Sequence, residues 1–195
     1  MHEIKNNLLY TFIAIFLLVK CSKEDESEII ILADEPEIQL FSCVDYTKAD
    51  DSNLMSYWNL FVEDVKCSRG GPDYSEINTS VNIKFDVLTP EQFASGVSPD
   101  HAGYSTFGGY CSRSAVVIGV ILDYWEDYTE TQRLWLMYHE FGHDVYKYEH
   151  SSGRSDIMWP SVPGGNVKIN DFITAKNNFL RRDFSGISYI RCPGD

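Results

Sequence analysis

The sequence predicts an α+β domain, because segments with the period of a helix and segments with the period of a strand occur in one chain of 195 residues. Residues 81–87 and 115–122 are typical of strands. Three longer segments, at about residues 53–68, 129–147 and 171–182, are typical of amphipathic helices. The length suffices for one hydrophobic core, and no internal repeat or second domain is visible.

The first helix and the first strand are predicted from the spacing of their apolar residues. In the helix these residues recur every three to four positions, at Leu54, Trp58, Phe61, Val62 and Val65. In the strand they alternate with polar residues, at Val81, Ile83, Phe85 and Val87. The stretch Gly70-Gly71-Pro72 ends the helix before the strand begins.

The second half of the chain is predicted to contain a buried strand and two helices. Residues 89–113 are rich in Gly, Ser and Pro and form a long loop with room for one short strand, and residues 115–122 (AVVIGVIL) follow as a continuous apolar run. Thr129 and Gln132 are placed to form a capping box at the start of the next helix. The last helix turns Phe172, Ala175 and Phe179 towards the core.

The N-terminal segment is predicted to direct export. Residues 8–19 (LLYTFIAIFLLV) are apolar but shorter than the roughly 20 residues of a membrane span, as in a signal peptide. Leu18-Val19-Lys20-Cys21 resembles a bacterial lipobox, although Lys20 stands where a small residue is usual. We therefore predict a lipoprotein signal peptide over residues 1–21, an acidic tether over 22–50 and the folded domain over 51–195.

The composition limits which binding partners and which cellular compartment are expected. The net charge of −13 argues against nucleic acid. Membrane contact is expected only through lipidated Cys21, and we expect a monomer. The acidic run Ser22–Glu26 resembles the signals that send Bacteroidetes lipoproteins to the cell surface, which indicates an outer-membrane lipoprotein that faces outward or, alternatively, the periplasm. Four further cysteines predict two disulfides with three possible pairings, at Cys43, Cys67, Cys111 and Cys192.

The third helix segment carries the motif HExxH at residues 139–143. Residues four apart on a helix differ by about 40° around its axis and about 6 Å along it, so two imidazoles at this spacing can bind one Zn²⁺. Glu140 lies next to the first ligand, where its carboxylate can act as the base on water. His139 and His143 are thus candidate metal ligands, and Glu140 is the candidate catalytic base.

A third ligand is predicted just beyond the helix end. Past the predicted signal peptide the chain has four histidines, of which three fall within residues 139–150 and the other, His101, is interpreted as a loop histidine. His150 follows the helix closely enough for the chain to turn back and offer its imidazole. Glu149 is an alternative, because carboxylates also bind zinc.

These residues, followed by Met158 and Pro160, resemble the metzincin clan of zincin metallopeptidases. Metzincins have HExxHxxGxxH, whereas here Tyr146 replaces the Gly and the third His is one position later. The likeness is greater to a group of Bacteroidetes lipoprotein metallopeptidases with HExGHx6H and a Met-containing turn. That group is matched at His139, Glu140, Gly142, His143, His150, Met158 and Pro160, and in the order of elements from about residue 54 to 184.

The resemblance implies a zincin-like α+β fold, in which a small mixed β-sheet packs on the HExxH helix, with one helix before it and one after. It implies a zinc metallopeptidase that hydrolyses extracellular peptides or proteins through a zinc-bound water activated by Glu140. We expect Met158 to pack under the metal, Gly142 to allow close packing on the sheet, and residues 116–121 to align substrate as an edge strand. Two alternatives stay open, a non-catalytic zinc-binding surface lipoprotein and a zinc hydrolase for another amide.

Overall fold

The computed structural model describes residues 42–68, 78–87, 89–94, 101–105, 111–112 and 115–193, without the side chains of residues 92 and 93. The predicted signal peptide, Cys21 and the tether as far as residue 41 lie outside the described residues. Within those ranges, the helices are too short or too polar to cross a membrane.

The α+β class is confirmed. A 3₁₀ turn at Tyr46–Lys48 precedes the helices α1 (Leu54–Ser68), α2 (Pro90–Ala94), α3 (Leu122–Asp127), α4 (Glu130–Tyr146) and α5 (Ile169–Arg181). The strands are β1 (Ser80–Asp86), β2 (Gly103–Ser105) and β3 (Ala115–Ile121). The expectation of a single helix before the HExxH helix was wrong, because α2 and α3 also precede it. Elements of five or six residues are too short to show a sustained period in the sequence.

The three strands form a small mixed sheet in the order β1-β3-β2, as predicted for its size and type. β1 runs parallel to β3, with Ser80 opposite Ala115, and β2 runs antiparallel to β3, with Gly103 opposite Val120. The prediction that residues 116–121 form an edge strand was therefore wrong, because β3 is paired on both sides. Its continuous apolar sequence fits this central position, since both of its faces are covered.

The core lies between the inner face of the sheet and the helices. Val116, Ile118 and Val120 of β3 are buried on that face, where α4 packs against β2 and β3. On the opposite side of α4, the ring of Phe61 on α1 lies 4.9 Å from the ring of Phe141. Gly142 and His143 follow Phe141 directly, so this packing fixes the part of α4 that carries the motif.

A buried ion pair and its hydrogen bonds join α1, α4 and α5 within this core. Asp64 of α1 and Lys176 of α5 are 2.8 Å apart, and their side chains are 0% and 1% exposed. The hydroxyls of Tyr46 and Tyr138 donate to Asp64 Oδ2 at 2.7 and 2.5 Å. The carboxylate thus accepts three hydrogen bonds, which satisfy a charge that would otherwise be costly to bury.

Two disulfides close the chain on itself. Cys43 pairs with Cys67, with 6.5 Å between Cα atoms, and Cys111 pairs with Cys192, with 5.2 Å between Cα atoms. The predicted number of disulfides is confirmed, and one of the three possible pairings is selected. Disulfides persist in oxidising compartments, which indicates a non-cytoplasmic protein. The first disulfide and buried Val44 also hold residues 42–50 on α1, although the sequence placed them in the tether.

Candidate metal centre

Local hydrogen bonds define both ends of α4, the helix that carries the motif. The Thr129 side chain accepts a hydrogen bond from the backbone N–H of Gln132 at 3.3 Å, and Gln132 Oε1 accepts from the Thr129 N–H at 3.0 Å, so the predicted capping box is confirmed. The helix ends at Tyr146, and the residue that caps it, Lys147, has a left-handed φ of 59°. The N–H of Tyr148 then donates to Gly142 O at 3.1 Å, which reverses the chain towards the motif.

This reversal brings three imidazoles together. His139, His143 and His150 each offer a ring nitrogen, and these nitrogens all lie within 4.8 Å of one another. The ring centroids of His139 and His143 are 4.6 Å apart, and those of His143 and His150 are 4.9 Å apart. His139 and His143 are buried, whereas His150 is exposed. The group could therefore hold a metal ion with one side open to solvent.

Backbone carbonyls orient the two helical rings. His139 Nδ1 lies 2.8 Å from the carbonyl oxygen of Ile157, and His143 Nδ1 lies 2.6 Å from that of Tyr148. A carbonyl can only accept, so each Nδ1 carries the hydrogen and donates it. Each neutral ring then presents an Nε2 lone pair, and the two Nε2 atoms are 3.0 Å apart. This is how metal-binding histidines are commonly oriented.

The lone pairs that face each other fit a bound cation. Burial lowers the pKa of His139 well below its usual range and lowers the pKa of His143 to about 4, with the charge of His150 adding to both effects. Near neutral pH both rings are therefore uncharged, and no proton lies between the two Nε2 atoms. Two lone pairs at this distance repel, and a metal ion bound there would be held by both His139 and His143.

The C-terminal segment holds the third imidazole in place. The backbone N–H of Glu149 donates to Ser188 O at 3.0 Å, and Tyr148 forms a β-bridge with Tyr189. The disulfide between Cys111 and Cys192 follows three residues after Tyr189. His150 is thus held by residues almost 40 positions further along the chain, which local sequence gave no means to predict.

Met158 is fully buried, and its sulfur lies beside Gly142, between the two helical histidines in the sequence. A Cβ added to Gly142 would lie 2.8 Å from Cε2 of Phe179 on α5, and closer still to the sulfur of Met158. The expectation that Gly142 packs on the sheet was therefore wrong. The glycine lets the turn and α5 approach the helix between its two histidines, where any side chain would clash.

The carboxylate of Glu140 lies between α4 and β2, the outer strand of the sheet in the described part of the chain. Its side chain is 4% exposed, and burial, followed by the charge of Asp144, raises its pKa to about 8 in the absence of a metal. A nearby cation would oppose this shift. A Cβ added to Gly103 would lie 2.7 Å from Glu140 Oε1, so the backbone of β2 limits where the carboxylate can go.

Asp144 is a residue of the site that the sequence did not single out. Its Oδ2 accepts hydrogen bonds from the backbone N–H of Val117 at 2.8 Å and from Ser105 Oγ at 2.9 Å. These bonds tie the last residue of β2 and the central strand to α4, one helical turn after Glu140. Its position directly after the motif was the only available signal, and an Asp there is equally consistent with an exposed charge.

We expect Gly103→Ala to lower by about 10- to 100-fold the kcat of any hydrolysis that uses Glu140, because the new Cβ displaces the Glu140 carboxylate and misplacement by about 1 Å can cost that much. Metal content and KM should change little. Gly164→Ala is the matched control, because nothing lies within 4 Å of its Cβ position. Steady-state kinetics and metal analysis of both variants measure the effect, and an unimpaired kcat in Gly103→Ala would contradict it.

Glu149 and the other nearby residues with suitable donor atoms lie outside the group of three histidines. Glu149 is exposed and does not join the group of three, and all four cysteines of the domain are in disulfides. Asp156 is buried in the turn before Met158 and is likewise outside the group. Among the residues that the structure describes, the group therefore consists of three histidines, without a carboxylate or a thiolate.

Comparisons with protein-family models, with curated proteins and with solved structures gave no match to this chain. The resemblance to zincins therefore stays a prediction from the motif, and the geometry of the site is what supports it.

Proposed function

We propose that this chain is a zinc-dependent metallopeptidase of zincin-like architecture. The observation that carries the proposal is the pair of neutral imidazoles, His139 and His143, with Nε2 atoms 3.0 Å apart and a third ring beside them. The only carboxylate of the motif, that of Glu140, lies on the same helix against the edge strand. This combination serves hydrolysis better than it serves a purely structural metal site.

Zinc fits the donor set. Three imidazole nitrogens are typical of catalytic zinc, whereas structural zinc usually has four protein ligands, often thiolates. Imidazole also binds copper, nickel and iron, so direct metal analysis has to identify the ion. Three imidazoles would leave a four-coordinate zinc ion one position for water, and the exposure of His150 leaves the group accessible to solvent.

Glu140 is the proton carrier in the proposed reaction. Zinc, when bound, supplies Lewis acidity that polarises the scissile carbonyl and lowers the pKa of water towards about 7. Glu140 accepts a proton from the attacking water and delivers it to the amine that leaves. Gly103 keeps the carboxylate close to the reacting atoms, and Asp144 fixes the strand on which Gly103 lies.

The substrate class is proposed to be an extended peptide that pairs with β2. In the described part of the chain β2 has a strand on one side only, β3. Ala102 O accepts from the Ile121 N–H at 2.9 Å, so by alternation Gly103 turns its own N–H and C=O to the open side. A peptide added at this edge passes directly beside Glu140.

We also propose that the enzyme is an exported lipoprotein that acts on extracellular peptides or proteins. The lipobox-like sequence before Cys21 and the acidic run after it support display on the outer membrane. The two disulfides support an oxidising compartment. Labelling with a radioactive fatty acid, lost in Cys21→Ser, tests the anchor.

Metal removal tests the proposed function directly. The chain from residue 22 is purified, analysed for metal and incubated with a mixed peptide library before and after treatment with a chelator. Chelation should abolish cleavage, and added zinc should restore it. The melting temperature of the metal-free protein should be on the order of 5–10 °C lower, because zinc at about 100 times its Kd adds about 2.7 kcal/mol of stability. A protein that binds zinc and gains stability, yet cleaves nothing, would be the non-catalytic zinc protein instead.

A further inference from the structure

The disulfide between Cys111 and Cys192 lines a cavity of about 570 Å³. Cys111 is exposed, so this disulfide lies where a small thiol in solution can reach it. Among the charged residues of the lining, Lys147 and Arg182 are cations and Asp144 is an acid, so positive charge is in excess. A thiol attacks a disulfide as its thiolate, and neighbouring cations favour thiolates. The cavity therefore suits thiol–disulfide exchange.

The same disulfide anchors the segment that positions His150. Glu149 and His150 are exposed and lie between two buried residues, Tyr148 and Ser151. Among the described residues, the one backbone hydrogen bond of this exposed pair runs from the Glu149 N–H to Ser188 O, at 3.0 Å. The placement of the His150 imidazole thus depends on where the C-terminal segment holds its neighbour.

The C-terminal segment has few contacts of its own after this hydrogen bond. From residue 188 to the disulfide every residue is exposed or half-buried, and a pairing of two strands this short is marginally stable by itself. Before it, Phe184 and Ile187 pack against the hydrophobic core. Opening the disulfide therefore frees one end of the pairing while the other stays attached. We expect the position of the segment to be lost and the fold to be kept.

We propose that the Cys111–Cys192 disulfide is a thiol-exchange site whose redox state controls the metal affinity of the three-histidine group. This rests on the metal site of the proposed function and not on the cleavage of peptides. The thiolate of a small-molecule thiol attacks Cys111 Sγ, the bond between the two sulfurs breaks, and Cys192 leaves as a thiolate. A second thiol then displaces the first from Cys111. The protein gains two thiols, and the two small thiols become one disulfide.

The first test removes the disulfide by substitution and measures the Kd for Zn²⁺ in competition with a chromophoric chelator. Cys111→Ser/Cys192→Ser should raise this Kd by about 10- to 100-fold, the usual effect of losing a residue that orients a metal ligand. Cys43→Ser/Cys67→Ser is the matched control, because that disulfide joins residues 42–50 to α1, and its Kd should stay within about threefold of wild type.

A double-mutant cycle separates the placement of His150 from general loss of stability. His150→Ala should raise the Kd for Zn²⁺ by itself. Adding Cys111→Ser/Cys192→Ser to His150→Ala should then raise it by no more than about threefold, because the residue that the disulfide positions is already absent. A disulfide that acted only on the stability of the domain would raise the Kd equally in both backgrounds.

The second test opens the disulfide in the wild-type chain. The metal-free protein is incubated with reduced glutathione, the thiols that form are alkylated with iodoacetamide, and mass spectrometry identifies them. Cys111 and Cys192 should be alkylated before Cys43 and Cys67. The protein alkylated at the first pair alone, freed of glutathione, should show the same rise in Kd as the serine variant. This measurement also decides the matter if the serine variant does not fold.

The outcomes separate this proposal from the proposed function. An unchanged Kd after loss of the Cys111–Cys192 disulfide, an equal rise in the control, or earlier opening of Cys43–Cys67 would each overturn the proposal. If wild type cleaves peptides and its Kd ignores this disulfide, the peptidase function stands and the exchange site fails. If wild type binds zinc, responds to the disulfide as expected and cleaves nothing, the peptidase function fails and the exchange site stands. A wild type that binds no zinc would overturn both.

Discussion

Glu140→Gln is expected to lower kcat for peptide hydrolysis by about 10²- to 10⁴-fold, the usual contribution of a general base. The amide has nearly the shape of the carboxylate, so the packing against Gly103 is kept while the proton acceptor is lost. Zinc content should remain that of wild type, because the three imidazoles of the site are untouched. Steady-state kinetics and metal analysis on the same preparations measure both quantities.

Glu149→Gln is the matched control for this variant. It removes the same charge from an exposed side chain that precedes His150 and lies outside the group of three. Its kcat should stay within about threefold of wild type, since surface charges this exposed contribute little. Two results would contradict the assignment of Glu140 as the base: full activity in Glu140→Gln, or an equal loss in both variants.

Asp64→Ala is expected to lower the free energy of unfolding by about 3–5 kcal/mol, which is the usual cost of leaving one partner of a buried ion pair alone. The Lys176 ammonium would remain 1% exposed without its carboxylate. The hydroxyls of Tyr46 and Tyr138 would also lose their acceptor. Denaturant unfolding, followed by tryptophan fluorescence, measures the change if both variants keep the same m-value.

A double-mutant cycle separates the charge from the packing. Lys176→Met together with Asp64→Ala should be more stable than Asp64→Ala alone, because the uncompensated charge is removed as well. Asp45→Ala is the surface control: its carboxylate caps the exposed 3₁₀ turn and accepts from Thr47 N at 3.2 Å. It should cost no more than about 1 kcal/mol. An Asp64→Ala protein as stable as this control would show that the ion pair does not hold the three helices together.

Local features of the site could be predicted from the sequence because they depend on residues within one or two helical turns of each other. The capping box of Thr129 and Gln132 begins the helix, and the four-residue spacing of His139 and His143 places both on one side of it. The apolar run at residues 115–121 identified the buried strand, although the run could not tell which strands lie beside it. The spacing of His150 from the helix likewise suggested a third ligand without fixing its position.

The sequence by itself therefore determined the α+β class, the long helices, the number of disulfides and the residues of the motif. Only the tertiary structure decided that β3 is central, that β2 borders Glu140 through Gly103, and that Asp144 fixes this edge. The tertiary structure also decided the C-terminal pairing that holds His150 and the buried bonds of Asp64. The physical reason is distance along the chain: these contacts join residues from 17 positions apart, for Gly103 and Val120, to 112 positions apart, for Asp64 and Lys176, and local periodicity carries no information about such partners.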